Sequence, residues 1–546
     1  MADIEKLEEF FGTSFISYIL GQDDGAMSSD SRVFPQGVLE LLDRICISTA
    51  YQEPHVRWMN VAANVMRYIG DQEMSLANYM RQLGGGDLAR VEETTDGLLN
   101  NLLRVACEIY PAFLVKRPHV EPLMGSLACG SEFLAHSEGL AFTVALLDDQ
   151  DTSALFPGRE SLAGKMPAEQ SCEIIDVQSY AVTSGVGLQI LRLHSFGEHI
   201  LNSAFHRMVT ANEGVSRERF LREVSRVLDD IRKLGRGESI DVAVVVGLAQ
   251  LGIDRSDVEL GSGRIVKRKF CYANEGSGAS WNPIVLVAKQ KYKIHKVESV
   301  VLAEGEFNRP DFQSYHRQVR EWHSEIDWAT DKCCLAIYMA SDVARPSGVV
   351  PAFTAVLEPF THYPIEPWTS RPQPSVAAIH LSEESAIEVS NWYAKIQNSH
   401  PASLNIAIRR MVSACNGRYS PSDSLLDAVL AWENMFSGTP ETVLRVCGAM
   451  ASLLAPGGYE DRRALYEKVK KIYNARSQIV HGKSKRNLTE ALIQEFADSA
   501  IEFAFKALKG LYGCPEILAL GDSDARGLAV LLGAAQVGNE SSNLQD

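Results

Sequence analysis

The sequence predicts a multidomain, mainly α-helical protein: a helical N-terminal region, a central α/β segment with short strands, and a C-terminal helical bundle. Three observations lead there. The 546 residues suffice for about three domains, each with its own core. Apolar residues recur at helical spacing through 1–120 and from about Gly187 to Leu234, with Gly, Pro and Ser spread through 121–185 between them, and again through 376–515. Between the last two of these stretches the chain turns valine-rich, carries a glycine hairpin signal, and ends on five prolines between Glu358 and Pro374. The boundaries are therefore drawn at 1–237, 238–375 and 376–515, with 516–546 as a C-terminal tail whose polar last part, 537–546, is expected to be disordered.

Helical periodicity covers Ile4–Ile19, Gly37–Ala50, His55–Leu83 and Leu88–Tyr110, punctuated by Pro54 and the Gly84-Gly85-Gly86 turn. A further helix is expected from Gly187 to Ala211, carrying His194, His199 and His206, and another over Ser216–Leu234. His199 and His206 share a helix face, but no carboxylate set completes a metal site, so core or solvated histidines are the expectation. Asp241–Leu248 reads as a strand. Asp257–Arg268 reads as strand, glycine turn and strand. Ile284–Ala288 and Val297–Leu302 are further strands, and Tyr315–Trp328 is a helix. The proline cluster reads as a stiff linker or draped loop. Beyond it the bundle is expected as Ser382–Ile396, Ser403–Asn416, Ser422–Phe436, Pro440–Leu454, Asp461–His481 and Leu488–Tyr512. Ser382 is a fitting N-cap, with Glu383 and Glu384 in the first turn.

Composition narrows the setting. Hydrophobic content of 46% and charged content of 22% are those of an ordinary globular protein. Ten cysteines without a CxxC pair read as reduced thiols of a cytoplasmic protein. The acidic N-terminus does not resemble a signal peptide, and no apolar run is long enough to span a bilayer, so no membrane is expected. A net charge of −16 argues against a protein coated in nucleic acid. Residues 400–512 nonetheless hold 15 lysines and arginines against 11 carboxylates, a local +4 that leaves −20 for the rest. A mildly basic module on an acidic body suits local, transient contact with RNA; chance variation along a long chain gives the same asymmetry.

The chemistry concentrates in Lys471-Ile472-Tyr473-Asn474-Ala475-Arg476-Ser477-Gln478-Ile479-Val480-His481-Gly482. Leu465, Val469, Ile472, Arg476, Ile479 and Val480 fall at spacings that put them on one helix face, so Arg476 joins an apolar stripe. Gly482 is placed to end the helix. His481 then sits at the negative end of the helix dipole. A titratable imidazole near a fixed cation is a metal-free way to move a ribose 2′-hydroxyl proton and hold phosphate charge. A helix-end histidine and a salt-bridged core arginine make the same spacing. Glu433 shares a face with Leu426, Val429 and Leu430, so this carboxylate wants a cation; Arg476, Arg409, Arg410 and Arg445 compete for it. Tyr473 is read as packing or stacking on a base. Lys483, Lys485 and Arg486 are read as phosphate contacts or a solvated loop. Gly482-Lys483-Ser484 is no phosphate loop, because Ser477 stands where that motif needs glycine.

Leu404–Met411, Asp427–Glu433 and Tyr466–Tyr473, continuing into Arg476-Ser477 and Ile479–Gly482, resemble the Apea-like HEPN family over roughly residues 385–512, about a quarter of the chain. The resemblance implies a small helical bundle, usually dimeric, and in many members a metal-independent ribonuclease whose R-x4–6-H motif is the active site. Arg476 and His481 match that motif and are the expected catalytic pair, with Glu433, Asp427, Tyr473 and Arg410 in support. RNA (tRNA, rRNA or mRNA) is the expected partner, a homodimer the expected assembly, and no metal or cofactor is expected. Family members often act as toxins in phage defence, which implies abortive infection and a phage-derived or other trigger acting on the N-terminal region. A non-catalytic HEPN scaffold for dimerisation, RNA binding or ligand sensing is the alternative.

Overall fold

The computed structural model describes residues 4–21, 34–88, 91–118, 120–122, 126–158, 177–185, 187–211, 214–267, 271–273, 284–299, 315–341, 348–360, 365–367, 379–416, 420–455, 457–482 and 488–533. The protein is mainly α-helical with a few small sheets. No described helix is long and apolar enough to cross a membrane.

The N-terminal helices follow the apolar spacing with three breaks. Gly12, at φ 88°, splits the first helix into Ile4–Phe11 and Thr13–Ile19. Lys116 lies against Gly12 so closely that a Cβ there would touch it. The expected His55–Leu83 helix divides into Pro54–Met66 and Leu76–Leu83 around a two-stranded turn, Tyr68–Ile69 with Met74–Ser75. The expected Leu88–Tyr110 helix begins only at Gly97, where Asp96 caps it, and runs to Phe113. Ser216 caps Arg217–Gly235 through the Arg219 N–H.

A larger difference lies at 178–192. The helix expected from Gly187 starts only at Phe196; before it stands an antiparallel hairpin, Gln178–Thr183 with Gly187–Arg192. Five of the six residues of its first strand are buried, so no polar alternation announces it. The hairpin pairs with Ile294–Ser299, which leaves the end of Ile284–Tyr292 after one residue. Strands from both sides of residue 237 therefore share a sheet, and one continuous hydrophobic core runs through all three regions.

The central sheet has six antiparallel strands in the order Ile365–Pro367, Val350–Val356, Ile240–Ala249, Ile284–Tyr292, Gly263–Lys267 and Asp257–Glu259. Its valine run is buried on both faces. Val244 and Val246 belong to the main core, and Val245 to a smaller cluster with Val285 and Phe353. The proline cluster is not wholly a linker, because Ile365–Pro367 forms the sheet's edge, where proline is tolerated. The helix expected to stop at Trp328 runs from His316 to Ala340, its second half buried on all sides.

The bundle comprises Glu383–Ser399, Asn405–Asn416, Pro421–Phe436, Thr442–Leu454, Tyr459–Val480 and Glu490–Gly513. Ser382 caps the first of these, and Thr489 the last. The chain beyond residue 515, read from sequence as a tail, folds back. Ser523–Leu531 packs on Pro421–Phe436 and Thr442–Leu454. Its Arg526 is fully buried and donates to the carbonyls of Asn434 (2.9 Å), Met435 (3.1 Å) and Leu520 (2.8 Å), and to Ser403 Oγ (2.9 Å). Asn434 and Met435 belong to the last turn of Pro421–Phe436, whose carbonyls have no partner within the helix. Arg526 caps that turn from a distant segment. The stretch expected to be disordered, 537–546, lies outside the described residues.

Candidate active site

Two helices build the site. Pro421–Phe436 starts with proline in its first turn and Asp423 near its positive end, both favourable there. It buries Leu425, Val429, Trp432 and Met435, and Trp432 Nε1 donates to the Ala500 carbonyl at 3.2 Å. Tyr459–Val480 has Glu460 and Asp461 in its first turn. Its inner seam is narrower than the sequence stripe. Val469, Ile472, Tyr473 and Ala475 are buried, Leu465, Arg476 and Ile479 are half-buried, and Val480 is exposed.

Glu433 and Arg476 meet across this seam. Tyr473 donates its hydroxyl to Glu433 Oε1 at 2.6 Å, and Arg476 Nη2 reaches Glu433 Oε2 at 3.4 Å. The Arg476 and Glu433 side chains are 22% and 20% exposed, so the pair is neither sealed nor freely solvated. Burial raises the Tyr473 phenol above its ordinary value, and the Glu433 carboxylate raises it further, so it remains a neutral donor. Tyr473 thus packs and holds Glu433. The 3.4 Å contact is at the long end for a hydrogen bond and engages one of the five guanidinium N–H groups. Arg476 Nε is buried with no acceptor among the described residues.

His481 caps the helix C-terminus with φ −87° and ψ 5°, its N–H bonded to the Ser477 carbonyl at 3.1 Å. Gly482 follows at φ 61°, the left-handed conformation that ends helices and that glycine adopts without strain. The imidazole is exposed. Five helical steps put it roughly 7.5 Å along the axis from Arg476 and about 140° round. Arg476 leans towards Glu433, and His481 leaves on a different side.

The other supporting residues form a second cluster. Arg410 Nη1 donates to Asp427 Oδ1 at 2.8 Å and Ser413 Oγ to Oδ2 at 3.0 Å, tying Asn405–Asn416 to Pro421–Phe436. Asp427 and Glu433 are six residues apart on one helix, about 120° round from each other, so the two clusters face different neighbours. Arg410 therefore does not serve Glu433. Arg445 pairs with Asp524, and Arg409 lies 3.9 Å from Asp331. Lys483, Lys485 and Arg486 lie outside the described residues. Elsewhere, His199 and His206 are buried, and among the described residues no group of three histidine, cysteine or acidic side chains is placed to hold a metal ion.

Sequence reading missed Glu358 and Arg526, two buried charged side chains that each make several hydrogen bonds. The signal for Arg526 was there: a lone cation within Ala525-Arg526-Gly527-Leu528-Ala529-Val530.

Compared with protein-family models, with curated proteins and with solved structures, the chain finds no match.

Proposed function

We propose that this protein is a metal-independent endoribonuclease of HEPN type, with His481 as the general acid/base and Arg476 as the phosphate-binding cation. The observation that carries the reading is the guanidinium held by Glu433 five residues before an exposed, helix-capping histidine. His481 takes the proton of a ribose 2′-hydroxyl, and the oxygen attacks the adjacent phosphorus. The 5′-oxygen of the next nucleotide departs and is protonated, leaving a 2′,3′-cyclic phosphate and a 5′-hydroxyl. Arg476 balances charge on the non-bridging oxygens, where a fixed cation in a partly dry site acts more strongly than in water. Glu433 and Tyr473 position that cation.

The divergence of the two side chains within one chain argues for a homodimer. A two-fold axis perpendicular to the motif helices, crossing between the two positions, would bring Arg476 of one copy beside His481 of the other, and isologous pairing is the commonest way to build such a groove. A cytoplasmic role as an RNA-cleaving effector, toxin-like and released by a trigger, is the biological setting we propose. The same divergence also favours the second reading, a non-catalytic HEPN scaffold. The deciding experiment is cleavage of tRNA, rRNA and mRNA by the purified protein with excess chelator. Products ending in 2′,3′-cyclic phosphate, absent with His481→Ala, support the nuclease. Equal cleavage by parent and variant, or none by the parent, rejects it.

A further inference from the structure

We propose that the cleft between the first N-terminal helix, the start of Pro54–Met66 and the segment Val115–Pro118 binds a free nucleotide. The cleft has a volume of about 420 Å³, within the range of small-molecule sites. Its lining joins two chemistries. Lys6, Arg57, Lys116 and Arg117 supply four cations against the single carboxylate of Glu9, on a chain whose net charge is −16. Phe10 and Trp58 supply aromatic surface.

Three of these cations are poorly neutralised. Among the described residues, Lys6, Arg57 and Lys116 make no ion pair. Arg57 spends its Nη2 on the carbonyls of Ala50 (3.1 Å) and Gln52 (3.0 Å) and lies 5.6 Å from the Phe10 ring centre. Lys116 Nζ donates to the Glu9 carbonyl at 2.9 Å, not to its carboxylate. Arg117 stacks between Trp58, at 5.1 Å, and Phe205, at 4.6 Å. The Pro54–Met66 helix begins at the cleft with no side chain capping its first turn, adding backbone N–H groups and a positive dipole end.

The second observation concerns Trp58. This lining residue is 4% exposed, and its indole Nε1 is buried with no acceptor among the described residues; Arg57 Nε is in the same state. Buried donors without acceptors are uncommon in folded proteins and call for a partner. An anion alone would answer the cations, and an apolar molecule alone the rings. A nucleotide brings phosphate oxygens for the cations, a planar ring for Phe10 and acceptors for the indole. The cleft's volume of about 420 Å³ matches a free nucleotide rather than several residues of an RNA strand. This inference does not rest on the nuclease reading.

The test is thermal-shift and calorimetric titration of the full chain with the four ribonucleoside triphosphates, the bare nucleosides, inorganic triphosphate and a short RNA. At least one triphosphate is expected to raise the melting temperature. Its nucleoside and inorganic triphosphate should each bind at least about tenfold more weakly. Lys6→Glu with Lys116→Glu should melt like the parent without ligand and lose at least about tenfold in affinity. Trp58→Phe, which keeps a ring and removes the donor, should also bind more weakly. No shift with any triphosphate, equal binding of inorganic triphosphate, unchanged binding by the lysine variant, or tighter binding of the RNA than of any nucleotide would each overturn the proposal.

Discussion

His481 is exposed at a helix end and bears no core packing, so His481→Ala should melt with the parent. Cleavage, on the proposed mechanism, should fall by roughly 10²–10⁴-fold, the usual worth of a positioned acid/base. A gel assay and a melting curve on one preparation check both halves. Glu433 behaves differently. Its carboxylate joins Tyr473 and Arg476, and Glu433→Ala strands a phenol and a guanidinium together. A fully buried pair would lose about 3–5 kcal/mol. With about a fifth of each side chain exposed, the expected loss is about 1–3 kcal/mol, read as a lower urea midpoint. Glu433's inward face was legible from its place beside Val429 and Leu430. Which of four arginines it meets was not, because that depends on how helices pack, and spacing along one helix says nothing about its neighbour.

Elements with a wet face were legible, and so was the β-branched valine run of Ile240–Ala249; the doubly buried Gln178–Thr183 strand was not. Ser216 and Ser382 announce their helices by cap chemistry and by the polar side that follows. The Gln178–Thr183 strand has almost no polar side, and the proline cluster hid both an edge strand and Glu358. That residue joins three elements. Its Oε1 accepts from Gln189 (3.2 Å) on the hairpin, and its Oε2 from Tyr292 (3.1 Å) on the sheet and from the Phe360 N–H (2.9 Å). Burial pushes its carboxyl up to about 7, although these donors favour the carboxylate. The folded chain therefore holds a proton that the unfolded chain has lost, from the ordinary carboxylate range, about 4.3, up to about 7. Its contribution is full below that window, falls as pH rises through it, and stays low above. Glu358→Gln mimics the protonated form, and Gln189, whose buried Oε1 has no partner, can turn its carbonyl to the new amide. The variant should lose less stability than the parent between pH 5 and pH 8 in urea titrations. Some slope should remain, because burial also raises Asp331 to about 7.

At the scale of the whole molecule, the prediction is assembly. Sedimentation of the full chain should give a dimer, and dilution that yields monomers should abolish cleavage in step. A fully active monomer would reject the shared groove. Composition suggested three regions, but the joins between them were not legible. A sheet shared across residue 237 and a helix returning from beyond residue 515 are long-range pairings that no local pattern encodes. Arg526→Ala leaves the carbonyls of Asn434 and Met435 buried without a donor. It should cost more than about 3 kcal/mol and lower the melting temperature more than any surface change in the bundle.

That distant cap has a consequence for the order of events during synthesis. The helix carrying Glu433 is translated early in the bundle, but Asn434 waits 92 residues for the arginine that completes its last turn. Domains form as units while the chain emerges, N-terminal parts first, so the earlier regions can settle while this helix is still open at one end. A chain that ends before residue 526 has a Glu433 helix without its distant cap. Under the proposed nuclease function, such incomplete products are the inactive ones.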